Sequence, residues 1–393
     1  MTQPNTNIST PPSVLSGEIR VPASKSLLHR GLFCAALAGD AALCALPPDD
    51  EISDDVGATF SCAEKLLRQT GADFDCRESG TTLRLLVPIL AALGIPANVT
   101  GSGRLPRRPL AEYAEAFGAH GAHLGFPGEP GTFLPLRISG RLTPGAYGIR
   151  GDVSSQYISG LLTALPLLAG DSRIVLGTPL ESEPYVRMTL AVLAHFGIRI
   201  NAAPDGWQIP GGQRYRAAAP YVAEADWSQA AFWLLAAHIG NPVAVSGLCR
   251  ETAQGDSVFP SLLGMPEADV SDCPDLLPAL AGAACFRAGD TVFTNAARLR
   301  LKESDRLEST RAMLAAFGVG SEITRDSMTV RGAGPDLVLR PCTVDGANDH
   351  RIVMTAAILS TRASGPVEIR GADAVRKSYP QFWRDFASLS IRK

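Results

Sequence analysis

Positively charged and hydrogen-bonding side chains stand at the start of several long apolar segments in this chain. In SKSLLHRGLFCAALAGD (residues 24–40), Lys25 lies between two serines, and His29 and Arg30 follow one turn later. A helix N-terminus already carries about half a positive charge and unpaired N–H groups. Basic side chains are unfavourable there unless an anion binds, in which case the helix dipole and the side chains act together. The pattern therefore predicts phosphate or carboxylate sites at the helix starts.

Five further apolar segments share this pattern, so the sequence predicts six buried helices. The other five lie at residues 78–94, 154–170, 226–240, 274–289 and 348–365. Each has Ser, Asp, Asn or Pro at or next to its start and a glycine at or next to its end, as helices commonly do. Each is apolar on nearly every face, which is typical of a helix buried on all sides.

Amphipathic segments that also end in glycine alternate with the apolar ones, and short strand-like stretches follow many of them. Six copies over 393 residues give units of about 65 residues, each with two helices and several strands. Two domains of three copies each is the simplest division. One apolar helix per copy implies helices packed inside, with sheets and amphipathic helices outside.

Composition limits the class of protein. The formal net charge is -3 and hydrophobic residues make up 46% of the chain, which suits a globular protein without a general affinity for nucleic acid. The 8 cysteines are scattered and form no Cys-x-x-Cys pair, so we expect no disulfide framework. The first residues are polar and rich in proline, and no apolar run reaches ~18 residues, so we expect neither a signal peptide nor a membrane span. A reducing cytoplasm fits this pattern best.

Seven short motifs, taken together, resemble the EPSP synthase (3-phosphoshikimate 1-carboxyvinyltransferase) family. They occur in the family's order from Pro22 to Pro380 and read VPASKSLLHR, ESGTTLR, GRLPRRPL, DVSSQY, LKESDRL, NDHR and RKSYP. The resemblance implies the enolpyruvyl transferase fold, a two-domain inside-out α/β barrel of six βαβαββ-like units, three per domain, with buried central helices. One domain would comprise residues 1–20 and 223–393 and the other residues 21–222, with the active site in the cleft between them.

The resemblance also implies a reaction. The enolpyruvyl group of phosphoenolpyruvate would pass to the 5-hydroxyl of shikimate 3-phosphate by addition and elimination through a tetrahedral ketal, with release of phosphate. This is a step of the shikimate pathway to chorismate and the aromatic amino acids. The family implies no metal and no organic cofactor. We expect a monomer whose partners are its two small-molecule substrates, with no nucleic acid and no membrane.

Matching the motifs residue by residue implies a role for each polar side chain of the site. Asp275 would be the base for the 5-hydroxyl, and Glu303 with Lys25 would deliver and remove the methyl proton. The implied ligands of shikimate 3-phosphate are Lys25, Ser26, Arg30, Ser154, Ser155, Gln156, Ser182, Asp275 and Lys302. The implied ligands of phosphoenolpyruvate are Lys25, Gly80, Arg84, Arg108, Gln156, Arg306, Arg351 and Lys377. Both substrates are multiply anionic, so several fixed cations are needed to offset their mutual repulsion.

Two alternative functions stay open on the sequence. UDP-N-acetylglucosamine 1-carboxyvinyltransferase shares the fold, but it usually carries a cysteine in a loop that here reads GSGRLPRRPLAEY. A non-catalytic anion-binding protein on the same fold would be expected to lack Asp275, Glu303 or Lys25, and all three are present. Taken singly, each polar residue also has an ordinary interpretation as a helix cap or a surface charge.

Two positions depart from the usual family motifs. Ala23 stands where glycine is common, and Glu78-Ser79 replaces the usual Asn-Ala. A carboxylate in a site for anions is unexpected. We therefore expect Glu78 to pair with a neighbouring arginine such as Arg77 or Arg108, or to point away from the site.

Overall fold

Each of the six apolar segments forms a buried α-helix in the computed structural model, which describes residues 6–392. The α-helices in this range are α1 (Lys25–Ala38), α2 (Asp54–Arg68), α3 (Gly80–Leu93), α4 (Ala111–Gly118), α5 (Ser155–Ala164), α6 (Glu183–His195), α7 (Trp227–His238), α8 (Phe259–Leu262), α9 (Leu277–Ala284), α10 (Arg306–Phe317), α11 (His350–Ser360) and α12 (Phe382–Leu389). All residues of α9 and α11 are buried. None of the helices in this range is long and apolar enough to cross a membrane.

The even-numbered helices are the amphipathic ones. In α10, for example, Leu307, Thr310, Leu314 and Phe317 are buried, and the side chains between them are half-buried or exposed except for Met313. This spacing of three and four residues places the buried side chains on one stripe of the helix. The predicted alternation of buried and amphipathic helices is confirmed.

The chain divides into two units. The first unit includes the chain up to Ser24, the short segment Pro48–Ser53 and the chain from Glu224 onwards; the second consists of Lys25–Pro47 and Asp54–Ala223. Helices α7–α12 belong to the first unit and α1–α6 to the second, so each unit contains three buried helices. Within the first unit, Asp50 of the short segment forms an ion pair with Arg384 at 3.1 Å. No feature of the sequence indicates this excursion of the chain.

Three four-stranded sheets share one topology. The strands are β1 (Ile8–Thr10), β2 (Ser13–Leu15), β3 (Gly17–Arg20), β4 (Asp73–Asp75), β5 (Ala97–Thr100), β6 (Ala122–Gly125), β7 (Leu136–Gly140), β8 (Ala146–Ile149), β9 (Ser172–Leu176), β10 (Asn201–Ala203), β11 (Gly206–Ile209), β12 (Val243–Ser246), β13 (Glu267–Asp269), β14 (Ala288–Thr294), β15 (Ser321–Ile323), β16 (Met328–Ala333), β17 (Thr343–Asp345), β18 (Val367–Arg370) and β19 (Ser390–Arg392). The sheet orders are β4-β5-β7-β6, β8-β9-β11-β10 and β13-β14-β16-β15. In each sheet the first pair is parallel and the other pairs are antiparallel. These three copies have the complete βαβαββ order.

The other copies are completed differently. Strands β1, β2 and β3 pair with β18, β19 and β12, so the segment before α1 supplies strands to sheets of the first unit. The copy that contains α1 and α2 has no sheet among the described residues, where only an isolated bridge joins Cys44 to Tyr221. The six copies therefore share their helices more closely than their strands.

Candidate active site

A buried arginine organises the charged residues of the first unit. Arg306 is the first residue of α10 and is 1% exposed. Its guanidinium forms ion pairs with three carboxylates, those of Asp275 at 2.8 Å, Glu303 at 2.5 Å and Asp349 at 3.0 Å. Burial alone would lower the pKa of Arg306, but the three carboxylates raise it above its ordinary value. Arg306 is thus a permanent cation that fixes both predicted catalytic acids of this unit.

Asp275 in turn lies among three cations. It sits in the 3₁₀ turn Pro274–Leu276 that leads into α9 and contacts Lys302 at 3.2 Å, Arg306 at 2.8 Å and Arg351 at 2.9 Å. Burial alone would raise the pKa of Asp275, but these cations hold it well below its usual range. The carboxylate is therefore ionised at neutral pH and is a weak base in this arrangement.

Two motifs distant in the chain meet beside Arg306. Asp349 is the N-cap of α11, is fully buried and accepts hydrogen bonds from the Arg351 backbone N–H at 3.0 Å and the Ser304 hydroxyl at 3.0 Å. Lys377 donates from Nζ to the backbone carbonyl of Asn348 at 2.8 Å. Ion pairs around Asp275 and Arg306 join four further predicted site residues or their partners, namely Lys302, Glu303, Arg351 and Asp349, and Lys377 contacts Asn348 next to Asp349. Sequence reasoning missed Asp349, although an aspartate directly before a helix is a recognisable cap.

A second carboxylate near Asp275 was also not predicted. Asp256 is 3% exposed and accepts a hydrogen bond from the Ser228 hydroxyl, in the first turn of α7. Burial raises the pKa of Asp256 to about 6, with a further contribution from the negative charge of Asp275 and an opposing one from Arg351. The raised pKa of Asp256 brings its protonation change closer to neutral pH than that of an ordinary aspartate.

We expect Asp256→Asn to remove a pH-dependent loss of stability. Between the ordinary pKa of 3.8 and the folded value of about 6, the folded state binds more protons than the unfolded state. Stability from this group therefore falls as pH rises through that range, and the penalty is complete above it. Urea midpoints of the variant, relative to wild type, should rise from about pH 4 to about pH 6 and then level off. Asp336→Asn, at an exposed site of the same unit, is the matched control. If the urea midpoints of wild type and Asp256→Asn changed in parallel with pH, the raised pKa of Asp256 would be contradicted.

In the second unit, Lys25 is the first residue of α1 and forms an ion pair with Asp55 of α2 at 2.7 Å. The two side chains are 16% and 12% exposed, so the pair is mostly but not wholly shielded from solvent. Nothing in the sequence indicates Asp55 as the partner of Lys25. The contact joins the first turn of α1 to the first turn of α2.

A buried chain of hydrogen bonds links the starts of α1 and α3. His29 Nδ1 contacts the Thr59 hydroxyl at 2.5 Å, and Thr59 contacts the Thr82 hydroxyl at 2.5 Å. The Thr82 hydroxyl donates to Ser79 Oγ at 2.7 Å, and Ser79 is the N-cap of α3. Burial, with help from the charges of Lys25 and Arg30, lowers the pKa of His29 well below its ordinary value. A neutral histidine therefore supports the helix starts from inside the unit.

The guanidinium of Arg108 lies against the backbone at the start of α3. A Cβ atom on Gly80 would lie 2.3 Å from Nη1 of Arg108, so only glycine permits this approach. Arg84 donates to Gln156 Oε1 at 3.1 Å, and Gln156 Nε2 donates to the Thr81 hydroxyl at 2.9 Å. Four predicted phosphoenolpyruvate ligands, Gly80, Arg84, Arg108 and Gln156, thus meet where α3 and α5 begin.

The predicted serine ligands lie at helix starts as well. Ser154 is the N-cap of α5 and accepts a hydrogen bond from the Gln156 N–H at 3.3 Å, and Ser155 begins the helix. Ser182 is the N-cap of α6 and has a left-handed backbone with φ 56°. These positions combine hydroxyl donors with helix N–H groups, which is the chemistry of a phosphate site.

Arg30 is engaged within the second unit. It is 4% exposed and donates to the Thr189 hydroxyl at 2.7 Å and to the carbonyls of Ser26 at 2.6 Å and Tyr185 at 3.0 Å. The bonds to Thr189 and Tyr185 tie α1 to the first turns of α6, close in sequence to Ser182. In this structure Arg30 therefore connects two helices, and its bond to the Ser26 carbonyl lies within α1.

Most of the acidic side chains described above, in both units, are paired with cations, and none of them forms part of a metal-binding group. Among residues 6–392 there is no set of three or more His, Cys, Asp and Glu side chains that could hold a metal ion. Each unit instead combines cations with hydroxyl and N–H donors at helix starts. This arrangement can bind phosphate and carboxylate groups and can exchange protons with a bound substrate.

The fold is shared with solved enolpyruvyl transferases. EPSP synthase from Acinetobacter baumannii matches with a TM-score of 0.77 at 22% sequence identity over 98% of both chains. The enolpyruvyl transferase NikO from Streptomyces tendae matches with a TM-score of 0.72 at 16% identity over 98% of both chains. The chain therefore has the enolpyruvyl transferase fold, as the sequence predicts.

Sequence comparisons define the family within this class. The family model for EPSP synthase (3-phosphoshikimate 1-carboxyvinyltransferase) matches residues 49–265 and 257–386. The 3-phosphoshikimate 1-carboxyvinyltransferase of Clostridium kluyveri is 36% identical over 97% of both chains, and that of Clostridioides difficile is 34% identical over 97% of both. The chain belongs to the EPSP synthase family.

Proposed function

We propose that this protein transfers the enolpyruvyl group of phosphoenolpyruvate to the 5-hydroxyl of shikimate 3-phosphate and releases phosphate. The observation that carries the proposal is the attachment of Asp275 and Glu303 to the same buried guanidinium of Arg306. Two carboxylates with different proton-transfer tasks are thereby held at fixed positions among cations. Membership of the EPSP synthase family supports the same reaction.

The reaction needs proton transfer at an oxygen and at a carbon. In the addition step, the 5-hydroxyl oxygen forms a bond to C2 of phosphoenolpyruvate, its proton passes to Asp275, and a proton is added to C3. In the elimination step, the bond between C2 and the phosphate oxygen breaks, and removal of a methyl proton restores the double bond. Glu303 together with Lys25 carries the C3 proton in both steps. Positive charge at C2 is stabilised by the nearby carboxylates.

The basicity of Asp275 depends on whether the anionic substrates are bound. Lys302, Arg306 and Arg351 hold its pKa well below the usual range in the free protein, against the effect of burial. The same three cations are the proposed ligands of substrate phosphate and carboxylate groups. When these anions bind, the cations are shared and Asp275 becomes a stronger base. Proton acceptance by Asp275 is thus coupled to the presence of both substrates.

We further propose that residues of both units act on one pair of substrates. Lys25 belongs to the second unit and Glu303 to the first, yet both are assigned to the C3 proton. This requires the units to close around the substrates, which should exclude water from the reaction. Every proposed ligand comes from one chain, so we propose that the monomer is the catalytic form.

Phosphate release from phosphoenolpyruvate, measured with and without shikimate 3-phosphate, tests the proposal. We expect release only when shikimate 3-phosphate is present, and small-angle scattering should show a smaller radius of gyration once it and a phosphoenolpyruvate analogue are bound. Release that depends on UDP-N-acetylglucosamine instead would indicate the related carboxyvinyltransferase. Binding of shikimate 3-phosphate without any phosphate release would indicate a non-catalytic anion-binding protein.

A further inference from the structure

The loop between β5 and α4 lies against the segment that starts α3. We call residues 101–108 the arginine loop and residues 77–80 the α3 entry segment. The Ser102 N–H donates to the carbonyl of Arg77 at 2.7 Å, which holds the beginning of the loop. The Arg108 guanidinium lies on Gly80, which is the contact at the end of the loop. The loop is therefore fastened to the entry segment at both ends.

Glu78 makes a third contact, in the middle of the loop. A Cβ atom on Gly103 would lie 2.5 Å from both Cδ and Oε2 of Glu78, so the carboxylate lies directly on the Gly103 backbone. Gly103 has a φ of +59°, a conformation that glycine adopts without strain. The carboxylate thus occupies the space that any other residue at position 103 would fill.

The charges of the two segments explain why a carboxylate is useful here. The arginine loop and the entry segment together contain four arginines, Arg77, Arg104, Arg107 and Arg108, and Glu78 is their one acid. The Arg108 guanidinium at Gly80 is repelled by the positive end of the α3 dipole and, more weakly, by the other arginines of the two segments, which are exposed. A carboxylate on the loop backbone offsets this repulsion before a substrate anion arrives.

We propose that Glu78 is a positioning residue that holds the arginine loop on the α3 entry segment, so that Arg108 stays over Gly80 to receive phosphoenolpyruvate. The proposal rests on the proposed function, because Arg108 and Gly80 are there assigned to that substrate. Glu78 acts through the loop and does not touch the substrate. This role explains why a carboxylate stands among residues that bind anions: it holds the arginine loop in place.

Steady-state kinetics of Glu78→Ala and Glu78→Gln test the effect on substrate binding. We expect Glu78→Ala to raise KM for phosphoenolpyruvate about tenfold, with kcat and KM for shikimate 3-phosphate within about twofold of wild type. Glu78→Gln keeps the shape of the side chain and loses its charge, so its KM for phosphoenolpyruvate should lie between those of wild type and Glu78→Ala. Glu115→Ala removes the same charge from an exposed position on α4 and should match wild type.

Limited proteolysis of the free protein tests the loop directly. Trypsin can cut after the exposed Arg104 and Arg107, and a loop that detaches more often is cut faster. We expect cleavage in Glu78→Ala about fivefold faster than in wild type or Glu115→Ala. Gly103→Ala, whose Cβ would displace the carboxylate, should also speed cleavage, and adding Glu78→Ala to it should have little further effect.

Every combination of results decides the proposal. Faster cleavage together with a raised KM for phosphoenolpyruvate supports it. A raised KM with unchanged cleavage overturns it, because Glu78 would then act on the substrate itself, and faster cleavage with unchanged KM overturns the link to the site. If wild type releases no phosphate with shikimate 3-phosphate, the proposed function fails. The proteolysis experiment then still decides the loop contact. Unchanged cleavage in Glu78→Ala would refute the contact, and faster cleavage would support it.

Discussion

Replacement of Glu303 by glutamine is expected to lower kcat by about 10²- to 10⁴-fold, the range of a lost general acid–base group. Glutamine has nearly the same shape and can still accept a hydrogen bond from Arg306, which contacts Glu303 at 2.5 Å in the wild-type protein. It cannot give or take the C3 proton. The dissociation constant of shikimate 3-phosphate, measured by calorimetry, should change by less than about threefold because the binding cations are untouched.

The matched control for this variant is Glu308→Gln. Glu308 lies in the first turn of α10 and pairs with Arg311, and both side chains are substantially exposed. We expect its kcat to be unchanged within about twofold. A Glu303→Gln enzyme that turns over at the wild-type rate but binds shikimate 3-phosphate poorly would show that Glu303 holds substrate and does not transfer a proton.

Arg306→Lys is expected to reduce the free energy of unfolding by about 3–5 kcal/mol and to abolish turnover. A lysine ammonium is a single point charge and cannot replace a planar guanidinium that contacts three carboxylates. Asp349, which is fully buried, would lose the guanidinium that contacts it at 3.0 Å. Urea denaturation followed by circular dichroism measures the loss, and phosphate release measures turnover.

Arg311→Lys, at the exposed ion pair one turn further along the same helix, should change the unfolding free energy by less than about 1 kcal/mol. The comparison separates the loss of a buried network from the general effect of replacing arginine by lysine on this helix. If the two variants were equally stable, Arg306 would not be the centre of the charged cluster.

The helices could be predicted because their signals are local. A segment that is apolar on every face must be buried wherever it packs, as α9 and α11 are. Their ends are equally local, since Gly94 and Gly318 adopt left-handed backbones with φ 68° and 90° at the C-caps of α3 and α10. The motifs that carry the family resemblance also lie at these helix starts, so most proposed ligands could be named from the sequence.

The ionic partners of the site could not be predicted, because they lie far from it in the chain. Asp55 is 30 residues from Lys25, and Asp349 is 43 residues from Arg306. Only packing of whole helices brings such pairs together, and many aspartates would have served equally well by sequence. The segment Pro48–Ser53 and the missing sheet beside α1 are likewise decided by long-range packing.

The pairing of β1, β2 and β3 with strands of the C-terminal half affects how the protein is made. A nascent chain emerges from the ribosome from its N-terminus, so β1 and β2 are exposed long before their partners β18 and β19 are translated. The second unit, Lys25–Pro47 with Asp54–Ala223, is complete in the meantime and can fold first. Completion of the first unit must wait for the last strands of the chain, so the edges of β1 and β2 stay unpaired until synthesis is nearly finished.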